Sequence, residues 1–113
     1  MQLEQASKAV AIRQLNDQFR RTFRGGKVML TPGIMALDED TRAEIFRQVA
    51  EFCDFNEAND PHDEHDFVAF EFNGVQVFAK IDYYSLDLAA GSDDPSNPES
   101  TTRVMTIMTA DEY

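Results

Sequence analysis

Both histidines of this sequence fall in one short segment, Asn59-Asp60-Pro61-His62-Asp63-Glu64-His65-Asp66. His62 and His65 offer imidazole nitrogens, and Asp60, Asp63, Glu64 and Asp66 offer carboxylate oxygens, the donor types that hold a divalent metal ion. The set expected to do so is His62, His65 and Asp66. Imidazoles three residues apart meet on a helix or tight turn, and Pro61 favours the start of one. No thiolate or third histidine completes a richer set. The alternative is an acidic surface loop in which Asp60 or Asp63 caps a turn, with a neutral histidine orienting a neighbour. No other cofactor is expected.

A second constellation follows from Asn73-Gly74, which sits between two alternating apolar runs in DFVAFEFNGVQVFAKIDYY. That pair reads as a two-residue hairpin turn with positive φ at both positions, and such a turn fixes the strand register. Phe72 then faces Val75, Phe70 faces Val77 and Val68 faces Ala79, with Ile81 on the same apolar face. Extending the register places His65 near Asp82, with Lys80 and Phe67 alongside on the opposite face. A carboxylate, a lysine and an imidazole together are the groups of acid–base catalysis, and a salt-bridged sheet surface is the structural alternative. Tyr83 and Tyr84 close the hairpin as edge packing or as an interface anchor. The sequence holds no Gly-rich phosphate loop beyond Gly25-Gly26-Lys27 and no nucleophile-and-base pair. Cys53, at the apolar end of a predicted helix, reads as a small buried hydrophobe.

The elements that must position these groups are legible in the periodicity. Ile12, Leu15, Phe19 and Phe23 define one face of a helix over about residues 3–23, with Arg13, Arg20 and Arg24 on another face and Gly25-Gly26 as its stop. Lys27–Thr31 reads as a short strand broken by Pro32-Gly33. Asp38 caps a second helix, whose stripe is Ile45, Phe46, Val49, Phe52 and Cys53. The hairpin follows a polar loop, residues 85–100 form an irregular loop, and Thr101–Thr109 forms a last strand. The expected fold is one α+β domain over residues 1–113, in the order α-β-α-β-β-β. About four strands form an antiparallel or mixed sheet, and two helices cover one face.

The net charge is −11 and unevenly spread. Lys8, Arg13, Arg20, Arg21, Arg24 and Lys27 stand against Glu4 and Asp17 in residues 1–27, a balance of +4, whereas residues 28–113 carry −15. Such a body repels nucleic acid and anionic membrane, and suits a protein partner with a basic surface. No apolar run approaches the roughly 18 residues of a membrane span. The polar start is not a secretory signal, and the lone cysteine fits a reducing cytoplasm.

The segments LNDQFRRTF, GGKVMLTPGI, NDPHDEHDFVAFEF, KIDYY and TTRVMTIMTADEY, in this order, resemble a small bacterial family, domain of unknown function 3768. The likeness runs from about Ile12 to Tyr113, and the family brings no assigned activity and no functional residues. It implies a protein carried on plasmids and other mobile elements, near genes that blunt host defences. Together with the charge, this gives an expected function. The protein would be a small, acidic, non-enzymatic interaction protein that occupies a basic, nucleic-acid-handling partner as an anti-defence inhibitor or DNA mimic. Asp60, Asp63, Glu64, Asp82, Tyr83 and Tyr84 are its candidate partner-binding residues. The alternatives are a metal-dependent or acid–base enzyme built on the PHDEHD loop and KIDYY, and an accessory structural domain.

Overall fold

A computed structural model describes residues 2–113, with side chains from Ser7 onward, so Met1 and the side chain of Glu4 lie outside it. Helix α1 spans Gln2–Thr22 and leads into strand β1, Gly26–Leu30. A single helical turn, α2, covers Pro32–Met35, and α3 covers Glu39–Glu51. Strands β2 (Phe67–Phe72), β3 (Val75–Tyr84) and β4 (Thr102–Thr109) follow, and a 3-10 turn at Ala110–Glu112 ends the chain. Among the described residues, no helix is long and apolar enough to cross a membrane.

The sheet is ordered β1-β4-β3-β2 and is mixed: β1 runs parallel to β4, and the other pairs are antiparallel. Asn73 and Gly74 take φ of 52° and 80°, the left-handed conformation that a primed hairpin turn requires. The register is the expected one, with Phe72 opposite Val75, Phe70 opposite Val77 and Val68 opposite Ala79. Strand alternation then sends Val68, Val77, Ala79 and Ile81 inward, where they pack with Met105 and Ile107 of β4. Phe19 of α1 and Ile45 and Val49 of α3 close the core from one face. The opposite face is mixed, carrying Gln76, Lys80 and Asp82 beside an aromatic group of Phe67, Phe78 and Tyr113.

Three features depart from the periodicity. Pro32-Gly33 does more than break β1: Pro32 opens α2 at its first position, and this turn buries Ile34. Cys53 is exposed rather than buried, because α3 ends at Glu51 and Phe52 turns the chain to extended geometry. Arg20, expected on a different face of α1 from the apolar stripe, is 1% exposed. Its Nη1 donates to the carbonyls of Val49, Ala50 and Phe52 at 2.9–3.2 Å. The last turn of α3 has no basic residue of its own, so Arg20 satisfies carbonyls that the helix leaves without partners.

Candidate functional site

The NDPHDEHD segment is a built loop rather than a solvated run. Asn56 Oδ1 accepts from the backbone N–H of Ala58 and Asn59, and Asn59 returns a bond to Asp54. Asp60 is buried, and its Oδ1 accepts from the N–H groups of Glu64 and His65 at 3.0 and 3.1 Å. These bonds wrap the chain tightly around one carboxylate, and Asp63 and His65 take φ of 58° and 55°. Both are uncommon conformations for residues with a Cβ.

That left-handed turn decides where His65 goes. The hairpin ladder continues past Phe67 through one further bond, from the Ile81 N–H to the Asp66 carbonyl at 2.9 Å. At His65 the backbone leaves strand geometry, and the ring swings toward α1 instead of toward Asp82. The expected grouping of His65, Lys80 and Asp82 is therefore not assembled. Lys80 pairs with Asp82 at 3.2 Å on the outer face, and His65 meets Asp17 through Nδ1 at 2.8 Å. The imidazole stacks on Phe55, with centroids 3.8 Å apart and planes within 5°.

From Asp17 a polar network runs through the molecule. Asp17 also pairs with Arg20 at 2.9 Å. Burial raises its pKa, but the hydrogen bonds from His65 and Arg20 outweigh that and hold it below the usual carboxylate range. One residue earlier, Asn16 is fully buried and donates to the Glu64 carbonyl at 3.0 Å and to the Tyr83 hydroxyl at 2.8 Å. Tyr83 donates onward to Glu64 Oε1 at 2.9 Å. Burial, with Glu64 and Asp66 nearby, holds that hydroxyl far above its normal range, so it stays protonated. Arg103, 3% exposed, donates through Nε to Asn16 Oδ1 at 2.8 Å and lies over the Tyr83 ring.

The sequence-predicted residues are thus divided. Asp63 is exposed and pairs with Arg13 at 2.6 Å. Asp60 Oδ1, Glu64 Oε1 and the Tyr83 hydroxyl are engaged in internal hydrogen bonds. Asp82 and Tyr84 lie on the outer face, the latter against Met29, Leu88 and Val104. His62 is exposed, and Asp66 is half-buried with a pKa raised by burial and then by Glu64 and Asp60. Among the described residues, the donors that lie within 4.8 Å of one another belong to Asp60, Asp63 and His65. The metal-type grouping therefore keeps His65 but replaces His62 and Asp66 with Asp60 and Asp63.

Asn16, Asp17, Arg20, Phe55 and Arg103 are absent from the sequence-based set. Two of them carried a signal: Asn16 interrupts the stripe Ile12–Phe19, and Arg103 alternates in phase with Met105 and Ile107. A polar side chain on a core-facing phase must find buried partners.

Fold and network together define an α+β domain with a one-sided mixed sheet and a buried polar hub beneath an acidic loop. The chain belongs to the family described as protein of unknown function DUF3768, which it matches over residues 30–112. The loop, the hairpin and β4 fall inside the matched span, whereas Asn16, Asp17 and Arg20 of α1 precede it. No curated protein and no solved structure matches the chain.

Proposed function

We propose that this protein is a non-enzymatic interaction protein whose acidic surface occupies the basic, nucleic-acid-binding face of a partner, as an anti-defence inhibitor does when it mimics DNA. The observation that carries this reading is a run of exposed carboxylates at the hairpin end of the sheet with few cations beside them. At the hairpin end lie the Asn73-Gly74 turn, the last residues of β1 and β4, α2, the 3-10 turn and the start of α3. That end carries Asp38, Glu39, Asp40, Glu71, Asp111 and Glu112. Arg42 at this end donates to the Met35 and Leu37 carbonyls rather than to a carboxylate, and Lys80, which shares a cleft with Glu112 and Tyr113, pairs with Asp82. Glu112 is held at a pKa of about 2 by hydrogen bonds from Thr31, Thr109 and Gly33, so it is fully ionised at neutral pH. Glu39, Asp40, Glu71 and Asp111 are exposed. The opposite end, where β1 and β4 begin, carries both signs: Arg21, Arg24 and Lys27 lie there with Asp87, Asp93, Asp94 and Glu99 of the 85–100 loop, and Arg20 and Arg103 are buried.

An acidic end with few cations attracts a basic groove and repels competing anions. The internal commitments of Asp60, Glu64 and Tyr83 favour this end over the PHDEHD loop as the partner surface. The test is capture of partners from the host on immobilised protein, comparing wild type with a Glu39→Lys, Asp40→Lys, Asp111→Lys variant of equal thermal stability. The reading expects the triple variant to lose the partner that wild type retains. Equal capture by both proteins would refute it.

A further inference from the structure

His65 faces two carboxylates, and the two contacts differ. Asp17 Oδ1 already accepts from the Arg20 guanidinium at 2.9 Å, so in the 2.8 Å contact it accepts again and His65 donates through Nδ1. In the neutral imidazole, Nε2 then carries a lone pair. It lies 3.6 Å from Asp60 Oδ2, beyond hydrogen-bond reach. The Asp60 side chain is 3% exposed. Both backbone N–H bonds go to its Oδ1, and among the described residues none goes to Oδ2. Two acceptor atoms this close, with no donor to either among the described residues, are an arrangement that a bridging cation relieves.

The surroundings select the cation. Asp63 brings a third donor within 4.8 Å of the other two. Arg13 binds Asp63 through Oδ2, which leaves the second oxygen for an ion. Phe55 fixes the ring plane, and Asp17 on Nδ1 supplies the carboxylate–imidazole support that orients and strengthens metal-ligating histidines. A cleft of about 420 Å³ between Phe55, Glu57 and Pro61 opens onto the three donors and leaves room for water ligands. From this geometry we infer that Asp60, Asp63 and His65 bind one divalent transition-metal ion. One imidazole with two carboxylates is a donor set for ions of the Mn²⁺ and Zn²⁺ class. The inference is independent of the acidic end.

Titration calorimetry of the whole chain with Zn²⁺ and with Mn²⁺ tests it, beside long-range ¹H–¹⁵N spectra of the His65 ring. One ion per chain is expected. Asp63→Asn, an exposed change that spares the fold, should weaken binding about ten-fold or more. Asp60→Asn, which retains the Oδ1 acceptor, should do the same, and His62→Ala should leave affinity unchanged. The metal should shift Nε2 while Nδ1 keeps its proton. Three results would overturn the site: no heat above dilution with either ion; a loss in His62→Ala equal to that in Asp60→Asn; or a ring protonated on both nitrogens at neutral pH, a proton then bridging His65 and Asp60.

Discussion

Asn16 and Arg103 occupy positions where helix and strand periodicity place apolar side chains, and each is nearly inaccessible to water. Asn16 alone joins the Glu64 carbonyl, the Tyr83 hydroxyl and the Arg103 guanidinium. Replacing it by Leu removes one hydrogen bond from each of the three at once, although the Tyr83 hydroxyl keeps Glu64 and Arg103 keeps the Pro95 carbonyl. Buried groups deprived of a bond cost about 1–3 kcal/mol each, so Asn16→Leu should destabilise by about 3 kcal/mol in urea unfolding. An unchanged midpoint would show that the hub contributes nothing. The carboxylates make opposite predictions with pH. The Glu112 pKa of about 2 lies below its ordinary value of 4.5, so its stabilisation is complete above the unfolded value and is lost as pH falls toward the folded one. Glu112→Gln should flatten the acid limb of the stability curve in that window. Asp66 is shifted upward, so folding disfavours its ionised form. Asp66→Asn should therefore stabilise the protein at neutral pH and lose that advantage below the unfolded value of 3.8.

The hairpin is the element whose sequence says most about it. Asn-Gly sets the turn, the turn sets the register, and the register sets which side chains enter the core. Gly74→Val should destabilise by more than about 1 kcal/mol, since a β-branched residue resists the φ of 80° there. Equal melting temperatures would place the strain elsewhere. Helix α3 was equally legible, because Asp38 caps it through the Thr41 N–H at 3.2 Å. What periodicity could not reveal came from long-range contacts. The parallel pairing of β1 with β4 joins segments more than 70 residues apart, and no local pattern encodes it. The Cys53 environment turned on two residues at the end of α3. The position of His65 turned on its left-handed φ, which arises because the Asp60 carboxylate draws the loop inward. The sequence thus picked out the PHDEHD loop, but only the fold could show which of its residues converge.

At the scale of the molecule, a net charge of −11 is also a solubility device, and every acidic protein has that much. The arrangement is more specific: the carboxylates of the hairpin end have few cations beside them, whereas the end where β1 and β4 begin carries both signs. The PHDEHD loop, acidic in sequence, is partly neutralised by Arg13 and directed inward by its own backbone. Mimicry of a nucleic acid has two consequences that solubility lacks. Association must slow as salt screens the acidic end, and nucleic acid must compete for the same partner site. The most direct measurement is binding of the captured partner at about 50 and 300 mM salt, with and without DNA or RNA. Mimicry predicts affinity that falls steeply with salt, mainly through slower association, and mutually exclusive binding of protein and nucleic acid. Salt-insensitive binding with both ligands bound together would contradict it, and would shift attention to the outer sheet face around Tyr84, Met29 and Leu88.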